Sequence, residues 1–385
     1  MSVALIAYYL GPRLGIGQYL ERLLPPLVEE LTHRGVEVTI LASPNAFAKT
    51  PALAKLKDLV QVLPPLDYSP GKRYAWIVTC FANYCRHEKI ETVVWLSNPI
   101  VLPWHPPTIA VIHDVNEWKA ANKYGDRLKT WLRATIYLDA SLRFAQQIIA
   151  ISEATKQELL HFRPAPQLKS KVQAIANGND SQLIDLSPVS IPAPTSPFLL
   201  SVGRIDPVAK RLPEAVALVS ALREISGEPW ELHLVGGMNA STQACGEAFL
   251  ISLENQPWVH YHGYIGDRAL AQWYRQATAV VFLSENEGFG LPIAEAVSFG
   301  RWIVVNQINQ ASLEAGGAAI IPVIPTNPQK AAVTLLKQLQ KSPFPPTEAS
   351  GQQWHKTASA YATEILSLRK NIKSSNIRVE HQKGE

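Results

Sequence analysis

Four side chains in the carboxyl half of the chain have the types and spacing needed to hold a phosphorylated polyol. Glu287 and Glu295 stand in LSENEGFGLPIAEA, and Arg204 and Lys210 stand in LLSVGRIDPVAKR. A carboxylate accepts hydrogen bonds from two vicinal hydroxyls, so two carboxylates about a helical turn apart suit a molecule with two polyol parts. Arg204 offers a planar fork and Lys210 a compact charge, the two cation types that neutralise a diphosphate. A nucleotide sugar joins two polyols through a diphosphate. The competing reading makes Arg204 and Lys210 surface salt-bridge partners, pairs Glu295 with a nearby arginine and leaves Glu287 solvated. Arg211, next to Lys210, is an open substitute for either cation.

The glycines favour the ligand reading. The apolar run AVVFLS (279–284) is followed by the loop ENEGFG, and Pro292 fits a first helical turn, where its missing N–H costs nothing. Backbone N–H groups of Phe289, Gly290 and Leu291 then point at whatever lies above, an anion or a hydroxyl. Glycines weaken a structural loop unless close backbone approach is required.

The amino half supplies further candidates. Gly15 and Gly17, in YYLGPRLGIGQYL, follow a first strand and precede a helix, a context that brings backbone N–H groups to a phosphate. Leu20 stands where a dinucleotide fingerprint has its third glycine, which argues against a nicotinamide-dependent dehydrogenase. His113 and Asp114 end the strand TIAVIHD, on the rim where ligands of parallel sheets bind. A histidine there donates to a sugar hydroxyl or carries a proton; capping the next segment is the alternative.

These residues need strands to position them. VALIAYY (3–9), VEVTILA (36–42), TVVWL (92–96), TIAVIHD (108–114) and QQIIAIS (146–152) alternate with helical stretches, including one over 127–145. A Pro- and Ser-rich linker, LIDLSPVSIPAPTSP, follows. FLLSVG (198–203), WELHLVG (230–236), WVHYHG (258–263), AVVFLS, RWIVVN (301–306) and AAIIPV (318–323) then repeat the pattern. Strands this apolar, separated by helices, predict parallel sheets covered on both faces in two domains.

Composition excludes several classes. The 385 residues are 47% hydrophobic and 18% charged, a globular balance. The net charge of +4 is too weak for a nucleic-acid partner and suits small anions or weak attraction to an anionic membrane surface. Residues 68–89 mix basic and aromatic side chains, compatible with a peripheral membrane or acceptor contact, or with an ordinary helix. Three cysteines without Cys-x-x-Cys spacing fit a reducing compartment. The start reads as a strand rather than a signal peptide, and no apolar run approaches bilayer length. A cytoplasmic location is expected, with peripheral contact at the inner membrane as an option.

LSENEGFGLPIAEA resembles the Glu-x7-Glu signature of retaining family 4 glycosyltransferases, also called glycosyltransferase group 1. SVGRIDPVAK is similar to their diphosphate-binding strand and turn. HYHGYIGDRALAQWYRQATAVVFLS, ISEATKQELL, AIANGND and SLEAGGAAIIPV resemble further family stretches, together covering most of residues 5 to 340. The resemblance implies a GT-B fold, two Rossmann-like α/β domains with parallel sheets facing across a deep cleft. The expected division is an acceptor-side domain over 1–185, a nucleotide-sugar domain over 186–353, a helix over 354–370 crossing back to the first domain, and a flexible tail over 371–385.

It implies a retaining hexosyltransferase that moves a sugar from a UDP- or GDP-sugar to a glycan, lipid-linked or small-molecule hydroxyl. It further implies that Glu295 holds the ribose and Glu287, with backbone at Phe289 and Gly290, the donor sugar. Arg204 and Lys210 would clamp the phosphates, Gly17 would approach them, and His113 would touch the transferred sugar. No metal or cofactor is expected. A GT-B epimerase or phosphorylase, or a non-catalytic nucleotide-sugar-binding relative, are the alternatives. The sequence departs from the family at GPRLGIG, which lacks paired glycines, and at Glu285 and Asn286, where smaller residues are common.

Overall fold

The computed structural model describes residues 2–8, 15–97, 99–115, 118, 138–178, 182–192, 194–238, 242–287, 290–345 and 353–382. The chain divides into two compact units. One comprises Met1–Gly178 and Gln353–Glu385, the other Asn179–Gln352.

The first unit is built on strands β1 (Ser2–Ala7), β2 (Glu37–Ala42), β3 (Val60–Val62), β4 (Thr92–Trp95), β5 (Thr108–Ile112), β6 (Gln147–Ala150) and β7 (Val172–Ala174). They are hydrogen-bonded in the order β3-β2-β1-β4-β5-β6-β7, every pair parallel. β4 and β5 are buried along their whole length, as strands covered on both faces must be. The short strands β3 and β7 are additions to the sequence reading; each is three residues long and pairs at the edge. The helix expected over 127–145 lies outside the described residues up to 137; Ala140–Phe144 is helical.

The Gly15–His33 helix buries Leu20, Leu23, Leu24, Leu27 and Leu31, which recur at the three- and four-residue spacing of one helical face. Against it packs the Trp354–Gln382 helix, which extends past the point where the sequence reading begins a tail. Its Ala358, Tyr361, Ala362 and Ile365 are fully buried. Thr357 Oγ1 donates to Ala176 O at 2.9 Å, and Arg34 donates to Ser359 Oγ and Thr363 Oγ1 at 2.9 and 3.0 Å.

The 68–89 stretch is divided: most of its aromatic residues face the core, while Lys72, Arg86, His87 and Lys89 are exposed. Tyr74, Trp76 and Tyr84 pack on the core, and the Arg73 guanidinium lies 5.0 Å from the Tyr8 ring centroid. Tyr68 remains exposed. Among the described residues, no helix is long and apolar enough to cross a membrane.

The second unit contains β8 (Phe198–Val202), β9 (Glu231–Val235), β10 (Val259–Tyr261), β11 (Ala279–Phe282), β12 (Trp302–Asn306) and β13 (Ile320–Val323), again all parallel. Their order is β10-β9-β8-β11-β12-β13. The Pro- and Ser-rich stretch is tied to this unit. Arg275 donates to the carbonyls of Ile184 and Leu186 at 2.9 and 2.7 Å. Both sheets thus have the Rossmann order, with the reversal between β1 and β4 in one and between β8 and β11 in the other.

A polar bond joins the two long helices inside the first unit's core: Tyr19 Oη and Tyr361 Oη lie 3.0 Å apart, both buried. Removing one hydroxyl strands the other away from water, a cost of about 1–3 kcal/mol. Tyr361→Phe should lower stability by that amount in denaturant unfolding. The Tyr19→Phe/Tyr361→Phe double variant should cost less than the sum of the two single variants.

Candidate active site

In open parallel sheets the loops on either side of the order reversal part from one another, leaving a crevice beyond the strand ends. In the second unit these are the turn after β8 and the loop after β11, the two segments that carry the candidate cations and Glu287. A pocket there is lined by Gly203, Arg204, Lys210, Phe282 and Ser284, among others.

Backbone contact builds its floor. Gly203 N donates to Val235 O at 2.9 Å, Ile205 N to Gly237 O at 2.9 Å, and Gly236 N to Gly263 O at 2.8 Å. Gly203 and Gly236 both have φ of +145°, and a Cβ on Gly236 would lie 1.8 Å from Gly203 O. Only glycine permits this approach of β9 to the turn after β8.

Asp206 shapes the turn, accepting at Oδ1 from Ala209 N and at Oδ2 from Arg204, both at 3.0 Å. Arg204 is 43% exposed and so is presented to solvent from the pocket wall. Lys210 crosses to the other side of the reversal. Its Nζ pairs with Glu287 Oε1 and sits 4.7 Å from the Phe282 ring centroid. The structure therefore brings Arg204, Lys210 and Glu287 to one place.

Arg211, the open substitute, is engaged elsewhere. It adopts a left-handed conformation (φ 49°), and its guanidinium binds Glu214 at 2.5 Å and also Glu285. The Glu285 bond, with support from Glu214, raises its pKa further. Glu285 thus pins the loop after β11 to the turn after β8. Asn309 holds the same loop from below, donating from Nδ2 to Ser284 O at 2.9 Å.

Beyond Glu287, Gly288 and Phe289 lie outside the described residues. Gly290 caps the Leu291–Ser298 helix in a left-handed conformation (φ 84°), with Pro292 in the first turn and Leu291 nearly buried. Glu295 is 2% exposed and accepts a hydrogen bond from Tyr274 Oη at 2.9 Å. Tyr274 is thus a partner of Glu295, which does not line the pocket that Arg204 and Lys210 share. Tyr274 is invisible as a site residue in the sequence because in RALAQWYRQ it reads as a helix's core residue.

In the first unit, Gly15 opens a helix and Gly17 is buried in its first turn; residues 9–14 lie outside the described residues. His113 follows β5 and lies beside the end of β4. Its Nε2 is 2.8 Å from Leu96 O, and the Tyr19 ring meets it edge-on at 4.6 Å. A carbonyl can only accept, so Nε2 carries the proton and Nδ1 is left as an acceptor. Burial pushes the pKa down to about 4 against the opposing Leu96 bond. The ring is thus neutral near pH 7 with Nδ1 able to accept a hydrogen bond, where the sequence reading had the residue donate one or carry a proton.

The profile described as Glycosyltransferase Family 4 matches residues 20–183, and that described as Glycosyl transferases group 1 matches residues 185–349. The chain belongs to the group 1 (family 4) glycosyltransferases of the GT-B superfamily. A D-inositol 3-phosphate glycosyltransferase from Kineococcus radiotolerans is 25% identical over 333 residues, 76% of this chain and 74% of that protein. HepE from Anabaena, solved in complex with UDP-glucose, is similar with a TM-score of 0.63 at 16% identity, covering 98% of this chain and all of the other. A UDP-GlcNAc 2-epimerase from Methanocaldococcus jannaschii is similar with a TM-score of 0.58 at 12% identity, covering 95% and 99%. At such identities the solved structures establish the fold alone.

The depressed His113 pKa has a stability consequence. Between pH 6.5 and about 4 the unfolded chain binds a proton that the native ring refuses, so native stability falls as pH drops through this window. A His113→Asn variant should lose less stability than the parent between pH 7 and pH 4, measured by melting temperature across pH. A His113 ring that titrates near 6.5 by NMR would contradict the neutral assignment.

Proposed function

We propose that the protein is a retaining, metal-independent hexosyltransferase that moves a sugar from a nucleoside-diphosphate sugar to a hydroxyl of a glycan, lipid-linked or small-molecule acceptor. The observation that carries the reading is the Lys210–Glu287 pair at the order reversal, with Arg204 beside it. Side chains 19% and 21% exposed are too enclosed for an ordinary surface salt bridge. Family membership and the likeness to a relative solved with UDP-glucose support the same donor class.

Arg204 and Lys210 hold the diphosphate, and Glu287, with the backbone around Phe289, Gly290 and Leu291, holds the donor hexose. Glu295, oriented by Tyr274, serves the ribose hydroxyls. Gly15, Gly17 and His113 belong to the first unit's own order reversal, where His113 Nδ1 accepts from a sugar hydroxyl. As the bond from the anomeric carbon to phosphate breaks, its electron pair passes to the leaving oxygen. Lys210 and Arg204 stabilise that growing charge, the kind of preorganised electrostatics that dominates many enzymes. The acceptor oxygen attacks the same face and its proton passes to the leaving phosphate, which gives retention without a covalent intermediate.

Removing one charge-assisted hydrogen bond to the donor should raise the barrier by roughly 3 kcal/mol, about a hundredfold in rate. Arg204→Ala, Lys210→Met and Glu287→Gln should each lower transfer by about that factor, once a donor has been found by calorimetric screening of UDP- and GDP-sugars. Full activity in all three would sink the assignment. Incubating donor alone and donor with acceptor separates transfer from epimerisation, since an epimerase converts the donor without any acceptor.

A further inference from the structure

Glu231 and His233 alternate along β9, and His260 and His262 alternate along and just beyond β10. The parallel register sets His260 beside His233. Because strand side chains point to opposite faces in turn, all four lie on one face, at the edge of the second unit's sheet. They take no part in the proposed transfer.

We propose that Glu231, His233 and His260 form a binding site for one divalent cation of the zinc type, with His262 orienting His233. One ligand atom from each of the three lies within 4.8 Å of the others. Glu231 Oε2 is 3.0 Å from His233 Nε2 and 3.7 Å from His260 Nε2. A zinc ion with ligands at about 2.0–2.2 Å needs ligand atoms roughly 3.3 Å apart. The Glu231–His233 edge is close to that spacing, and the 39% exposed His260, on an edge strand, can rotate to close the rest.

Protons alone leave one group unsatisfied. His262 Nε2 lies 2.9 Å from His233 Nδ1, so a chain from His262 through His233 to Glu231 can be completed with hydrogens. His260 Nε2 then stays shielded from water with no hydrogen-bond partner among the described residues. A cation satisfies it together with the other two ligands. With the cation on His233 Nε2, Nδ1–H donates to His262, the outer contact that fixes a metal-binding imidazole. Phe198 and Trp273, each with its ring centre 4.6 Å from that of His233, wall the site. Two imidazoles and one carboxylate favour zinc over magnesium or calcium, which select all-oxygen sites. The ion would pin the three-residue β10 to β9, whose Gly236–Gly263 bond abuts the turn leading to Arg204.

The test uses the full chain after chelator treatment. Zinc is titrated in competition with a chromophoric chelator, and cobalt(II) absorption reports ligand geometry. One equivalent should bind and raise the melting temperature. His260→Gln and Glu231→Gln should each weaken binding at least tenfold, and His262→Gln by about 10–100-fold. His260→Gln alters a partly exposed side chain, so it stays informative should Glu231→Gln fail to fold. Absence of saturable zinc binding by the parent overturns the proposal. So does undiminished affinity in His260→Gln with parental circular dichroism.

Discussion

The reversal of strand order between β8 and β11 is the constraint on which the second unit's site depends. Strands elsewhere in the sheet hand their loops to neighbours in one rotational sense, but at the reversal the two loops diverge. Side chains must hold their facing edges. Two cation–carboxylate pairs do this, Lys210 with Glu287 and Arg211 with Glu285. A hydrogen bond to a charged group contributes about 1.5–3 kcal/mol, enough to set the loop's position without locking it. The two pairs differ in use. Arg211 binds two carboxylates, whereas Lys210 pairs with one and borders the pocket beside Arg204. One pair keeps the loop in place, and the other is the pair on which the proposed donor site rests.

The backbone beneath these pairs is equally specific. Gly203 and Gly236 touch where no Cβ fits, which lets the turn after β8 lie flat against the end of β9. Arg204 and Asp206 then project from a surface that their own hydrogen bond stiffens. In the first unit the equivalent reversal is organised around an aromatic stack. Tyr19 meets His113 edge-on, bonds to Tyr361, and lies 6.0 Å from Trp354, with Gly178 making room for the last of these. His113 owes its tautomer to Leu96 and its neutrality to this packing.

Much of this was legible before any fold. The eleven strands expected from apolar runs all occur, since a run such as AVVF or TIAVI can be buried only within a covered sheet. Strands β3 and β7 escaped because three residues at a sheet edge carry no periodic signal. Arg204, Lys210 and Glu287 were recognisable as candidates because two cations follow one strand and a glycine-rich acidic loop follows another; that Lys210 takes Glu287 as its partner needed the fold. Glu231-x-His233 and His260-x-His262 were equally legible as alternating patterns, but their meaning needs the register that sets β10 beside β9.

The amino-acid sequence by itself determined the class of fold, the family and the chemical character of the site, because hydrophobic period, turn residues and charge type are local properties. Only the tertiary structure decided which partner each polar group takes: Tyr274 for Glu295, Glu285 for Arg211, Leu96 O for His113. Those choices join residues 21, 74 and 17 positions apart, and they depend on strand order and helix packing, which bring distant segments within the few ångströms that a hydrogen bond requires.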